Sequence, residues 1–194
     1  MTQDRVAGVG ARPMRADARR NYARLLAAAR EAYTEHGTDT RLDDVARRAG
    51  VGPGTLYRHF PTREALLAAV YRDDVEALAV EANRLAETFP PGEALNRWLR
   101  LQLDYVKVKR GLGEAVKAML ATDSQTLAYC REAMRAAAGG LLARAQATGE
   151  VRADVAAQDV MRLVHGVALA TETAPEDAER LLAIVIAGLR PAPD

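Results

Sequence analysis

The sequence predicts an all-α protein, and three observations carry that expectation. Ala, Leu, Arg and Glu are abundant while aromatic residues make up only 5% of the chain, a composition that favours helix. Apolar residues recur at i, i+3, i+4 and i+7 in segment after segment, and no alternating strand pattern interrupts them. Glycines and prolines fall at the ends of those segments, where helices stop and start. About nine helices are expected, in an N-terminal three-helix domain joined by a long helix to a larger helical domain. The domains expected are a flexible basic arm over 1–16, a helix-turn-helix unit over 17–62, a ligand-binding and dimerisation domain over 63–190, and a tail over 191–194.

Residues 1–14 lack periodicity and contain glycines and a proline, as a mobile arm does. Arg5, Arg12, Arg15, Arg19 and Arg20 could reach phosphates or a minor groove, or simply be solvated. From about Asp17 to His36 the stripe Tyr22, Leu25, Leu26, Ala29 and Tyr33 predicts the first helix, stopped by Gly37. Thr40 is then expected to cap the second helix, with Asp43 in the capping-box place. Leu42, Val45, Ala46 and Ala49 lie on one face of it, and Gly50 supplies a left-handed C-terminus. Gly52 and Pro53 open the third helix. Small Ala46 allows a steep, close crossing, which Val51, Leu56 and Phe60 would seal. This is the layout of a DNA-binding helix-turn-helix.

Pro61 breaks the third helix, and Thr62 is expected to cap a fourth that runs to about Thr88 with Glu64 in its first turn. Pro90 and Pro91 form the clearest boundary in the chain. Residues 92–110 read as a helix apolar on several sides (Leu95, Trp98, Leu99, Leu101, Leu103, Tyr105, Val106, Val108), and so as a central one. A short helix over Glu114–Ala121 follows, then one over Ser124–Thr148 in which Gly139-Gly140 implies a bend or a closely approaching backbone. Asp154 is expected to cap a helix striped by Val160, Leu163, Val164, Val167 and Ala168. Pro175 is expected to start the last one, striped by Ala178, Leu181, Leu182, Val185, Ile186 and Leu189. Two terminal helices this apolar suit an isologous four-helix contact between two copies, the alternative being that both only complete the monomer core.

Charge and chemistry narrow the function. The formal net charge of +1 divides into +5 through residue 72 and −4 beyond it, the footprint of a basic N-terminal part that meets nucleic acid. The single cysteine, Cys130, excludes an internal disulfide framework and suits a reducing compartment. No apolar run approaches a membrane span and no secretory signal is visible, so a cytoplasmic protein with no membrane partner is expected. His36, His59 and His165 have no carboxylate or cysteine at metal-ligand spacing, and Asp43-Asp44 and Asp73-Asp74 read as solvated charge. GVGPG follows no strand and fails as a phosphate loop. No metal, cofactor or enzymatic activity is expected.

With Leu56 and Phe60 inward, 100° per residue places Gly54 and Arg58 opposite them, Thr55 and Tyr57 on the flanks, and His59 nearer the core. Arg58 is the candidate base reader, its fork matching guanine O6 and N7. Gly54 permits close approach, and Thr55 can bond a phosphate or touch a thymine methyl. Tyr57, His59, Thr62, Arg63 and Arg41 are placed for phosphates.

The stretch LDDVARRAGVGPGTLYRHFPTREALL resembles the N-terminal domain of TetR-type transcriptional regulators. The shared pattern is the turn glycine, the Thr-Leu-Tyr triplet, the Phe after the His and a helix that starts with a charged pair. The resemblance is specific over roughly residues 17–70 and elsewhere one of layout. It implies a homodimer on a palindromic DNA operator, helices 5 to 7 around an inducer cavity, the last two helices as the dimer interface, and repression relieved by a small ligand in most members. It carries DNA-contact roles to Thr55, Tyr57 and His59 most securely, then to Arg58, Gly54 and Arg63. Candidates for a pocket are Trp98, Tyr105, Met119, Tyr129, Met134 and His165, each of which reads as plain core more readily than as pocket lining; His165 could instead lie at the dimer contact. A pocket so lined would be mostly apolar and take a hydrophobic or planar ligand. Candidates for the dimer interface are Val160, Leu163, Val164, Val167, Leu181, Leu182, Val185 and Leu189. A ligand-independent regulator or an activator on the same fold is the alternative.

Overall fold

The structure is a computed structural model that describes residues 11–37, 40–111 and 124–191. Among these residues the regular secondary structure is helical: α1 (Ala11–His36), α2 (Leu42–Ala49), α3 (Pro53–His59), α4 (Arg63–Thr88), α5 (Pro91–Gly111), α6 (Ser124–Ala147), α7 (Ala157–Ala170) and α8 (Ala178–Gly188), with a 3-10 turn at Pro175–Asp177. The chain divides into two compact units, one through Val70 and one from Tyr71. The division therefore falls inside α4, eight residues later than the expected boundary at 62. The arm expected over 1–16 also ends sooner, since α1 already begins at Ala11.

In the first unit, α1 buries Leu25, Leu26, Ala28, Ala29, Ala32 and Tyr33, the expected stripe without Tyr22, which stays 38% exposed. α2 packs against α1 and α3 against α2, with Val45, Ala46 and Ala49 of α2 and Leu56 and Phe60 at α3 all buried as the crossing requires. Burying each large aliphatic side chain here is worth roughly 1.5–3 kcal/mol. Thr40 does not cap α2. The N-cap is Arg41, extended and without a side-chain cap bond. The Thr40 hydroxyl turns inward instead, in reach of the Ala32 and Gly37 carbonyls at 3.1 and 3.0 Å, and ties the α1–α2 connection to the end of α1. Surface pairs add a second tie: Arg48 of α2 meets Glu35 of α1 at 2.6 Å, a bond that holds the Glu35 carboxyl below its ordinary range.

In the second unit, α5 is central and packs against α6, α7 and α8. Leu95, Trp98, Leu99, Leu103 and Val106 are buried, whereas Leu101 is 38% exposed, so the helix keeps a solvent side. The Trp98 indole N–H donates to the Leu78 carbonyl of α4 at 3.0 Å. α5 begins at Pro91, and Glu150 from the α6–α7 connection accepts the Gly92 N–H at 3.2 Å. The helix expected over Glu114–Ala121 lies outside the described residues. α6 runs unbroken through Gly139-Gly140, and a Cβ on either glycine would meet nothing within 4 Å, so no backbone among the described residues presses there.

Two expected caps differ. Asp154 pairs with Arg152 at 2.6 Å rather than capping α7, whose N-cap is Ala156; its N–H donates to Asp159 at 3.4 Å. Pro175 begins a 3-10 turn, and α8 proper starts at Ala178.

Candidate nucleic-acid interface

The turn that presents α3 is built from backbone bonds. Gly50 sits at φ 62, ψ 36 and its N–H donates to Arg47 O at 3.0 Å, while Val51 N–H reaches Ala46 O at 3.0 Å. Those two bonds and buried Val51 are a Schellman ending, which needs a left-handed residue where Gly50 stands. Arg24 of α1 adds a clamp that the sequence did not suggest, its guanidinium donating to Gly50 O at 3.2 Å. Gly52 then opens α3 in extended conformation, with Pro53 at the first helical position.

α3 has the two sides expected of it. Leu56 is fully buried, while Gly54, Tyr57 and Arg58 are exposed and Thr55 is half-buried. A side chain at Gly54 would meet nothing within 4 Å, so the helix offers an open face there. His59 is half-buried, its ring edge-on to Tyr22 with centroids 5.8 Å apart, which fixes its orientation. Arg41 is exposed at the start of α2. Thr62 caps α4, its hydroxyl accepting the Ala65 N–H at 3.1 Å. Glu64 in that first turn is held below the ordinary carboxylate range, chiefly by its own backbone N–H and then by Thr62. Arg63 is half-buried, and its charge is felt at the phenol of Tyr33. Gly54, Tyr57, Arg58, Arg41 and Thr62 are thus open to a partner, and Thr55, His59 and Arg63 partly so.

One residue on this surface escaped the sequence reading. The Tyr57 hydroxyl donates to Asp43 Oδ1 at 3.3 Å, so an acid of α2 stands beside the exposed side of α3. The contact crosses two helices, and no spacing rule within one helix would find it.

The expected ligand and dimer residues divide. Trp98 is 0% exposed with its N–H satisfied by Leu78, which makes it a core plug. Tyr129 is 45% exposed, bonded to Glu76 at 3.0 Å with the Arg72 guanidinium 4.5 Å above its ring, so it belongs to a surface cluster. His165 is exposed on α7, Met134 is buried, and Met119 lies outside the described residues. Tyr105 is different. Burial, and Tyr71 beside it, push its phenol well above the ordinary value. Its hydroxyl has no partner in hydrogen-bond geometry among the described residues, and its ring centroid lies 6.3 Å from that of Tyr71. Gln102, one turn earlier on α5, is 4% exposed and its Oε1 is likewise unpartnered. An open cleft of about 490 Å³, lined by Gly92, Asn96, Glu150, Val151, Ile186 and Arg190, includes none of the expected ligand residues.

Of the expected dimer residues, Val160, Val164, Val167, Leu182 and Leu189 are buried within the chain itself, and Leu181 and Val185 are half-buried. The apolar stripes of α7 and α8 pack these five side chains into their own bundle. What points outward is Leu163 (48% exposed), Leu169 (52%) and Ile184 (60%).

Among the described residues no helix is long and apolar enough to cross a membrane, and no group of three His, Cys, Asp or Glu could hold a metal. Residues 25–70 match the model of bacterial regulatory proteins of the tetR family. Residues 90–191 match that of the SbtR-like C-terminal domain of transcriptional regulators. A crystal structure of a TetR transcriptional regulator from Streptomyces coelicolor is similar at 40% identity and TM-score 0.79, covering 89% of this chain and 99% of that one. One of a TetR transcription regulatory protein from Mycobacterium vanbaalenii gives 36% and 0.77, covering 92% and 100%. The HTH-type transcriptional regulator RutR of Escherichia coli is 27% identical over 95% of this chain and 78% of its own. With a glycine-turned α2–α3 pair at one end and a matched helical domain at the other, this chain belongs to the TetR family of DNA-binding transcriptional regulators.

Proposed function

We propose that the protein is a homodimeric repressor that lies on a palindromic operator and leaves it when a small, mostly apolar ligand binds. The observation that carries the DNA contact is the exposed side of α3, where Gly54, Tyr57 and Arg58 stand clear of a buried Leu56 behind a Schellman turn. In this reading α3 lies in the major groove, Arg58 forks to guanine O6 and N7, and Tyr57, His59, Arg41 and Arg63 hold phosphates. Thr55 touches a phosphate or a thymine methyl, and the Thr62 end of α4 faces the backbone. The protein works in the bacterial cytoplasm, on the nucleoid when bound.

Two further observations support the finer reading. Gln102 Oε1, closed off from water one turn before Tyr105 on α5, has no hydrogen-bond partner among the described residues, and a buried acceptor left so costs about 1–3 kcal/mol. A ligand that donates to Gln102 would recover that cost. On the outer flanks of α7 and α8, Leu163 and Ile184 lie beside Gly166 and Gly188, where an added Cβ would meet nothing within 4 Å. Such flanks let a second pair of helices approach closely, as a two-fold four-helix contact needs. The test is selection of bound DNA from a random pool, followed by a screen for compounds that release it. Two inverted half-sites about one helical turn apart, or a multiple of it, are expected. A single half-site protected by a monomer would refute the dimer, and retention of DNA against every compound tried would favour a ligand-independent regulator.

A further inference from the structure

The two carboxylates in the first turn of α2 are engaged differently. Asp44 pairs with Arg47 of its own helix at 2.7 Å. Asp43 is exposed, enters no ion pair among the described residues, and faces across the motif to Tyr57. A well-formed hydrogen bond from a hydroxyl to a carboxylate is about 2.5–2.7 Å long. At 3.3 Å the Tyr57–Asp43 bond is loose and costs little to break. Tyr57 itself belongs to the exposed part of α3, together with Gly54 and Arg58. The carboxylate one hydrogen bond away is therefore on the surface read above as meeting DNA.

A negative charge at that place is repelled by phosphates and by the acceptors on base edges. What satisfies it in a major groove is an exocyclic amino group. Adenine sets the N7 acceptor next to its amino group, which opposes a carboxylate that has no proton to give. Cytosine N4–H₂ has the acceptor O6 of its paired guanine on one side only and C–H on the other, and is the usual partner of Asp and Glu. We infer that Asp43 is a specificity-determining residue, whose carboxylate accepts the N4 amino group of a cytosine once Tyr57 turns to the DNA backbone. The inference rests on α3 being the groove helix. A purely structural role for Asp43, favouring the positive end of α2, would alter the stability of the helix and leave base preference unchanged.

The experiment is random-pool selection with the full chain as wild type, Asp43→Ala, Asp43→Asn and Tyr57→Phe, each first shown to be folded by far-ultraviolet circular dichroism. The wild type should enrich one fixed cytosine per half-site. Asp43→Ala should lose preference at that position by about 5- to 150-fold, the range for one good base contact, and should bind random DNA more tightly. Asn pairs with adenine N6 and N7, so Asp43→Asn should move the preference from cytosine to adenine, which keeps the test decisive if the alanine variant fails to fold. Tyr57→Phe should weaken binding evenly and keep the cytosine. If both Asp43 variants enrich the wild-type motif, even with tighter binding to all DNA, the inference is overturned and Asp43 only repels. If Tyr57→Phe erases the same preference, Asp43 acts solely by holding Tyr57, and the inference is again overturned. A wild type that enriches no sequence would instead overturn the groove reading beneath it.

Discussion

Replacing Gly50 with alanine tests whether the turn geometry sets how α3 is presented. The residue is held at φ 62 by the bonds to Arg47 and Ala46, a conformation that costs an L residue with a Cβ about 1–2 kcal/mol. The new Cβ would also lie 2.5 Å from the Arg24 guanidinium, the group that donates to Gly50 O. Arg24 is a flexible side chain and would swing aside, losing an exposed hydrogen bond worth about 0.5–1 kcal/mol. The two effects together give a loss of roughly 2 kcal/mol in the first unit. Gly52→Ala is the comparison. Gly52 is already extended at φ −62 with open space where a Cβ would go, so the entropy gained in the unfolded chain roughly offsets a poorer N-cap. Its net effect should stay within about 0.5 kcal/mol. Urea unfolding followed by far-ultraviolet circular dichroism, together with operator affinity, measures both variants. Gly50→Asn should recover part of the loss because asparagine tolerates the left-handed region. If Gly50→Ala and Gly52→Ala unfold alike, the turn is not set by Gly50 and the reasoning fails.

The other predictions concern contact, assembly and pH. Arg58→Ala should weaken specific operator binding by about 1–3 kcal/mol with less effect on random DNA, and equal losses in a gel-shift titration would make it a phosphate contact. Leu163→Asp with Ile184→Glu should give a folded monomer by sedimentation. Leu182→Ala, inside the chain, should instead destabilise the fold by about 2–5 kcal/mol. Burial pushes the Tyr33 phenol up from 10.0 to about 12. Its folded pKa is raised, so the stability it contributes is complete below pH 10 and is lost as pH rises from there toward 12. Tyr33→Phe should flatten that alkaline fall in denaturation midpoints, at no cost near neutrality, because the hydroxyl has no partner among the described residues.

Much of the first unit was legible because one helical period decides it. Leu56 and Phe60 had to face inward, and that alone placed Gly54 and Arg58 outside. The caps were less legible. Thr40 and Asp154 have good capping chemistry, but each found a stronger local partner, the Ala32 and Gly37 carbonyls in one case and Arg152 in the other. Periodicity also says that a face is buried without saying by what. The stripe with Val160, Val164 and Leu182 reads the same whether a second copy or, as here, the chain's own bundle lies against it. Tyr129 and Trp98 show the same limit, since an aromatic on a helix reads alike whether it meets a ligand, a core or an arginine. Asp43 was set aside because its partner lies 14 residues away on another helix.

The burial of Trp98 gives the protein a natural optical probe. It is the one tryptophan in the sequence, it sits in the second unit, and its indole is dry and hydrogen-bonded to a backbone carbonyl. Its emission should be blue-shifted in the native state and move to the red only when α5 separates from α4 at Leu78. Loss of the helix-turn-helix alone leaves that fluorescence untouched while helical ellipticity falls. Recorded side by side, the two signals separate the melting of a DNA-reading unit from that of its helical partner without any label.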